Sequence, residues 1–76
     1  MTTAQREQIA AWKEAAARDG ERVVGVYRHC RSGIVVLATE YERGQWNSGV
    51  KPDGEVVPYF SGPGPQAKGK QWKTTE

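Results

Sequence analysis

Apolar residues in the first twenty positions recur at the spacing of an amphipathic helix. Ile9, Trp12 and Ala16 lie three and four residues apart, and Gln5 extends the same stripe toward the N-terminus. Several alanines between them supply helix propensity but little bulk. The spacing predicts a helix over residues 3–18 that packs on a sheet through a narrow stripe, mainly through Ile9 and Trp12.

The two ends of this helix carry recognisable capping residues. Thr2 and Gln5 form a T-x-x-Q capping box, in which each side chain accepts a hydrogen bond from the other residue's backbone. Asp19 and Gly20 follow the last turn, and glycine at this position readily takes the left-handed conformation that ends a helix. The sequence therefore predicts both helix boundaries as well as the helix.

Beyond Gly20 the apolar period changes from 3.6 to 2, which is typical of strands. β-Branched and aromatic runs alternate with turn signals and predict four or five short strands. The runs are residues 22–28, 34–41, 45–47, 55–60 and 69–75. The first two should form an antiparallel hairpin, and the second, with five consecutive apolar residues, should be central and buried on both faces. Ser48 and Gly49 are interpreted as a turn, and Pro58 favours an edge strand because it lacks an N–H.

The chain divides into a neutral body and a basic tail at the Ser-Gly-Pro-Gly-Pro segment of residues 61–65. We expect a single domain over residues 1–76, with a helix in 1–20, an antiparallel sheet in 21–60, and the break with a basic tail or last strand in 61–76. The fold class is then α+β: an N-terminal helix packed on a small antiparallel sheet or on an SH3-like, partly closed barrel of four to five short strands.

Composition argues against several kinds of protein. Cys30 is the one cysteine and His29 the one histidine, so the sequence predicts no disulfide, no metal site and no cofactor. No run approaches the ~20 apolar residues of a membrane helix, so we expect no membrane partner. A lone thiol without a secretory signal at the N-terminus favours the cytoplasm.

The side chains that could carry catalysis are poorly placed for it. His29 and Cys30 are neighbours in an extended segment, so their side chains should point to opposite faces. We expect His29 to flank a turn and the Cys30 thiol to be half buried. Glu40 and Glu42 share a face, but they approach a turn, where both carboxylates should be exposed to solvent. We therefore expect a protein that is not an enzyme.

The aromatic content indicates a binding partner. Three Trp, three Tyr and one Phe are more than a 76-residue core needs, and such side chains are enriched at interfaces. We expect a protein partner, with self-association as a further option, contacted through Trp46, Tyr59, Tyr41 and Trp72. The other explanation is that these side chains fill a core that is poor in Leu, Ile and Phe.

Nucleic acid is the alternative partner. The net charge of +2 lies entirely on the tail, where three lysines face a single glutamate around Trp72. Lysines could neutralise phosphates while the indole stacks on a base. Arginines of the first hairpin could extend the surface, since Arg22 and Arg28 should share a strand face. The residues of this alternative site are Lys68, Lys70, Lys73, Arg22, Arg28 and Arg31.

A short motif resembles a known kind of domain. Gly25-Val-Tyr-Arg-His29, followed by Gly33 and Val36-Leu37, resembles the opening G-x-Y-R-H…G…V-L of a family of small uncharacterised bacterial domains, and Val57-Pro-Tyr-Phe60 is similar to their closing segment. The resemblance implies a small SH3-like β-fold without assigned chemistry. In size and composition the chain also resembles small phage accessory proteins such as anti-CRISPR inhibitors. We therefore expect a non-enzymatic protein-binding module, of the phage inhibitor or adaptor type, that acts on a host protein complex.

Overall fold

The computed structural model describes residues 1–42, 44–57 and 72–75. In this part of the chain one helix is followed by five antiparallel strands in the sheet order β4-β3-β2-β1-β5. The elements are α1 (Thr3–Arg18), β1 (Arg22–His29), β2 (Val35–Tyr41), β3 (Gly44–Val50), β4 (Val56–Val57) and β5 (Trp72–Thr74). The sheet is open rather than a closed barrel, so the predicted α+β class is confirmed in its open-sheet form.

The helix begins and ends where the capping residues predict. The Thr2 side chain accepts a hydrogen bond from the Gln5 backbone N–H at 3.2 Å, and the Gln5 side chain accepts one from the Thr2 N–H at 3.0 Å. At the other end Asp19 is the C-cap and Gly20 has φ of 76°. Backbone groups at both ends of the helix, where partners within the helix are lacking, therefore form local hydrogen bonds.

Gln5 also fixes the start of the helix to the sheet. Its side chain is buried, and its Nε2 donates to the carbonyl oxygens of Gly33 at 2.8 Å and Val50 at 3.1 Å. Thr2 adds a hydrogen bond from its hydroxyl to the Pro52 carbonyl at 3.0 Å. Since the Gln5 side-chain oxygen accepts from Thr2, the whole amide is satisfied although it is out of water.

One face of the sheet carries the core. Ile9 of the helix packs over Val26, Leu37, Val35 and Val50, which the strand register places side by side. Met1 and Trp12 pack against this cluster and are only half buried. The helix thus docks through the predicted stripe.

The central strand β2 is buried on both faces, as its apolar run predicts. Val36 and Ala38 point away from the helix-covered face and are nevertheless fully buried. Beside them on β1, the Tyr27 ring lies over Gly25, so that a Cβ at Gly25 would meet the phenol oxygen at 2.7 Å. None of the helices in the described residues has the length and apolar content to cross a bilayer.

The sequence interpretation of Ser48 and Gly49 as a turn is wrong. Both residues continue β3, opposite Leu37 and Val36 of β2. Gly49 also lies opposite Val57 on the other side, and it is buried there. The long ladder with β2 supplies hydrogen bonds that outweigh the local turn preference of a Ser-Gly pair.

The two edge strands confirm further expectations. β4 lies at one edge, as expected for a strand next to Pro58, although Pro58 itself lies outside the described residues. β5 pairs with β1 at the other edge, with Trp72 opposite His29. Residues 72–74 therefore form a last strand, while the Gly-Pro-Gly-Pro break is not among the described residues.

Candidate functional site

Large apolar side chains are exposed together at the end of the sheet that the helix C-terminus approaches. Val23, Thr39 and Trp46 form a row across β1, β2 and β3, and Tyr41 lies two residues further along β2. Trp46 is 41% exposed, Tyr41 37% and Val23 36%, whereas Thr39 beneath them is buried. We call the surface formed by Val23, Tyr41 and Trp46 the aromatic end.

Two concave spaces of about 260 Å³ each lie beside the Trp46 indole. The outer one is bounded by Glu21, Tyr41 and Trp46. The inner one reaches under the helix to Trp12 and Leu37. Trp46 and Glu21 line both spaces, so they form a ridge between two neighbouring grooves.

The opening exists because the last turns of the helix carry small side chains. Ala15 and Ala16 line the inner groove at the point where a Leu or Ile would fill it. After Arg18 the chain turns away through Asp19 and Gly20, so no further helical turn covers Trp46. The same alanine-rich composition that favours the helix therefore leaves its C-terminal half poorly packed on the sheet.

Among the described residues, the structure brings together two of the predicted protein contacts and separates a third from them. Tyr41 and Trp46 share the aromatic end. Trp72 is half buried and packs edge to face on His29, with ring centroids 4.9 Å apart and an interplanar angle of 79°. His29 ends β1 opposite to the end that carries Val23, so Trp72 belongs to a different part of the sheet. Tyr59 lies outside the described residues.

The predicted basic residues also separate into two groups. Arg28 and Lys73 lie directly opposite each other on β1 and β5, both exposed, and Arg31 follows in the next turn. Arg22 lies at the far end of β1, where it forms an ion pair with Glu40. Lys68 and Lys70 are not among the described residues.

The expectation that Arg22 and Arg28 share a strand face is wrong. A bulge between Val23 and Gly25 shifts the register of β1 against β2. Arg22 consequently lies opposite Glu40 and Arg28 opposite Val35, which are on different faces of β2. An extra residue in a strand inverts the alternation beyond it, and alternation alone could not reveal this.

A further basic groove was not predicted. A space of about 450 Å³ lies between α1 and the end of β5, and its lining includes Arg6, Lys13 and Thr75 around an apolar floor of Met1 and Ile9. Arg6 and Lys13 are seven residues apart, which places them on one flank of a helix. That spacing was visible in the sequence, but only the sheet order shows which strand this flank faces.

The histidine and cysteine are accounted for by local structure. The His29 Nδ1 accepts hydrogen bonds from the backbone N–H groups of Arg31 and Ser32 at 3.3 and 3.2 Å. Cys30 is exposed in the turn that His29 closes, whereas we expected its thiol to be half buried. Within residues 1–42, 44–57 and 72–75, no three His, Cys, Asp or Glu side chains come close enough to hold a metal ion.

Sequence reasoning missed the acidic residues of the aromatic end. Glu21 lines both grooves and Asp19 lines the inner one. Their position in the turn between α1 and β1 was predictable, but the neighbouring Trp46 is separated from them by two strands.

Searches of protein-family profiles, of curated protein sequences and of solved structures found nothing that matches this chain. The resemblance to the small bacterial domains therefore stays a prediction.

Proposed function

We propose that this protein is a non-enzymatic binding module whose aromatic end docks on another protein. The observation that carries the proposal is the row of Val23 and Trp46 with Tyr41 beside it, each more than a third exposed. Tryptophan and tyrosine dominate binding energy at protein interfaces because they bury large areas with little loss of side-chain entropy. An inhibitor or adaptor of a host complex acts through such a surface.

The shape of the aromatic end supports docking better than it supports binding of a small molecule. Each groove of about 260 Å³ is smaller than the ~300–1,000 Å³ of usual small-molecule sites. The two grooves together, with the Trp46 ridge between them, suit two neighbouring side chains of one partner. Interfaces are commonly built from such anchor pockets, which neighbouring contacts seal from water.

Site-specific photo-crosslinking in the native cytoplasm tests this proposal. A benzophenone amino acid at position 46 or 41 should give a discrete protein adduct, because these side chains would lie in the interface. Position 56 is the matched control, since Val56 is as exposed as Trp46, at 41%, but lies on edge strand β4 near the start of the helix. Equal adducts from positions 46 and 56, or none from either, would contradict docking through the aromatic end.

A second candidate function, nucleic-acid binding, is favoured by the Arg28–Lys73 pair. Like charges directly opposite each other destabilise a strand pair, and a phosphate between them would remove that repulsion. The groove that contains Arg6 and Lys13 reaches Thr75, two residues beyond Lys73 on β5. A single-stranded nucleic acid could therefore contact both the Arg28–Lys73 pair and this groove on one side of the molecule.

The salt dependence of oligonucleotide binding tests this second candidate. The double variant Arg28→Gln/Lys73→Gln should lower the slope of log affinity against log salt by about 1.4 for a single strand. Arg22→Gln is the matched control, because Glu40 already neutralises that guanidinium. An unchanged slope in the double variant, or no binding at low salt, would exclude this surface.

A further inference from the structure

Among the described residues, the charged side chains that line the grooves beside the aromatic end are both acidic. Glu21 lines both grooves and Asp19 lines the inner one, whereas none of the described Lys or Arg residues lines either. In the described part of the chain neither carboxylate forms an ion pair. The cations nearest in sequence are already engaged, Arg18 by Glu14 at 3.6 Å and Arg22 by Glu40.

This combination defines the chemistry of a complementary partner. A cation at carboxylates beside an exposed indole is attracted in two ways, by the opposite charge and by a cation–π interaction with the face of the ring. A phosphate or an acidic segment would instead be repelled by Glu21 and Asp19. An apolar side chain could fill the inner groove, whose walls include Trp12 and Leu37.

We propose that the aromatic end recognises a basic–apolar protein segment, in which an Arg or Lys lies next to a large apolar residue. The cation lies at Glu21 beside the Trp46 indole, and the apolar side chain enters the inner groove. This inference rests on the proposed function and adds the chemistry of the partner to it. It also assigns Glu21 the role of specificity determinant, because Glu21 lies at the ridge that both grooves share.

Selection from a random twelve-residue peptide library displayed on phage tests the inference. The full chain is the bait, and Trp46→Ser and Glu21→Gln are the counter-baits, each first shown to unfold at a temperature close to that of the parent. Peptides that need Trp46 should be enriched in Arg or Lys beside Leu, Met, Phe or Trp. Glu21→Gln should weaken them about fivefold, the upper range for a partly exposed ion pair.

Two further variants sharpen the outcome. Glu21→Lys should select acidic–apolar peptides in place of basic ones, because the attraction at the ridge is reversed. Glu7→Gln is the matched control, since Glu7 is exposed on α1 two residues after Gln5, on the outward side of the helix. It should change affinities by less than twofold.

The possible failures are distinguishable. Trp46-dependent peptides without excess basic residues, or without sensitivity to Glu21→Gln, would overturn the basic–apolar partner and leave docking at the aromatic end intact. A selection that yields no Trp46-dependent peptide at all would contradict the proposed function itself.

Discussion

The two ends of the helix–sheet interface are built differently. At the start of the helix the buried Gln5 amide bridges Gly33 of one strand connection and the end of β3 at Val50. At its other end Ala15 and Ala16 leave grooves beside an exposed Trp46. We call the first the anchored end, formed by Thr2, Gln5 and the backbone groups they bind. We expect stability to be concentrated at the anchored end, and we propose that recognition takes place at the aromatic end.

The difference teaches how so small a domain can expose large aromatic side chains and still fold. A domain of this size buries only ~60% of its unfolded surface, so it cannot pack both ends of the helix equally well. Directional hydrogen bonds to the β1–β2 connection at Gly33 and to the end of β3 at Val50 hold the anchored end in one geometry. The aromatic end then needs little packing of its own, and its side chains stay partly exposed.

The largest expected effect is at Gln5. Gln5→Met keeps the size of the side chain but removes the hydrogen bonds that its amide donates to the buried carbonyls of Gly33 and Val50, which should lower the free energy of unfolding by about 3 kcal/mol. Gln8→Met on the same helix, where the side chain is only half buried, should change it by about 0.5 kcal/mol or less. Urea unfolding measures both, and equal effects would show that the anchored end is not held by this amide.

Two glycines with positive φ provide a comparison between the ends. Gly54 has φ of 95°, and a Cβ there would lie 3.3 Å from the Ala4 Cβ at the anchored end, whereas Gly20 has φ of 76° and open space around it. Gly54→Ala should therefore cost about 2 kcal/mol, from backbone strain and crowding, and Gly20→Ala about 1 kcal/mol from strain alone. If thermal unfolding shows that Gly20→Ala is more destabilising than Gly54→Ala, the expected difference between the two ends is wrong.

A smaller effect is expected at the helix cap. Thr2→Ala removes the acceptor for the Gln5 N–H and the hydrogen bond to Pro52, and should lower stability by about 1 kcal/mol. Thr2→Ser keeps the hydroxyl and should restore most of that loss. If the two variants unfold at the same denaturant concentration, the cap contributes nothing to the anchored end.

The smallest effect on stability is expected at the aromatic end. Tyr41→Ser should change the free energy of unfolding by about 0.5 kcal/mol, because the side chain is substantially exposed. The same variant should weaken binding of a Trp46-dependent peptide about tenfold, as truncation of an interface aromatic commonly does. Large destabilisation with unchanged binding would make Tyr41 a core residue and would invert the proposed division of roles.

Much of the fold follows from local sequence patterns. The capping box and Gly20 delimit the helix, and the apolar run of β2 predicts a central strand because consecutive apolar residues need burial on both faces. The Ser48–Gly49 interpretation failed because a turn preference is weak against a paired ladder. The bulge in β1 was also not predictable, since one extra residue leaves the segment as rich in strand-forming residues as before.

The candidate site was predictable only in part. The excess of aromatic residues pointed to Trp46 and Tyr41, but equally to Trp72, which packs on His29 instead. Glu21 had no signal in the sequence, because a carboxylate after a helix is ordinary. Its proposed role rests on the grooves that it lines together with Trp46.

The sequence by itself determined the local elements: where the helix begins and ends, which run is central, and which strand lies at an edge. These depend on spacing and capping between residues a few positions apart. Only the tertiary structure decided that Gln5 binds carbonyls 28 and 45 residues away, and that Val23 and Trp46 meet in one row. Such contacts depend on strand order and register, and a single bulge or one extended strand changes them without changing the local pattern.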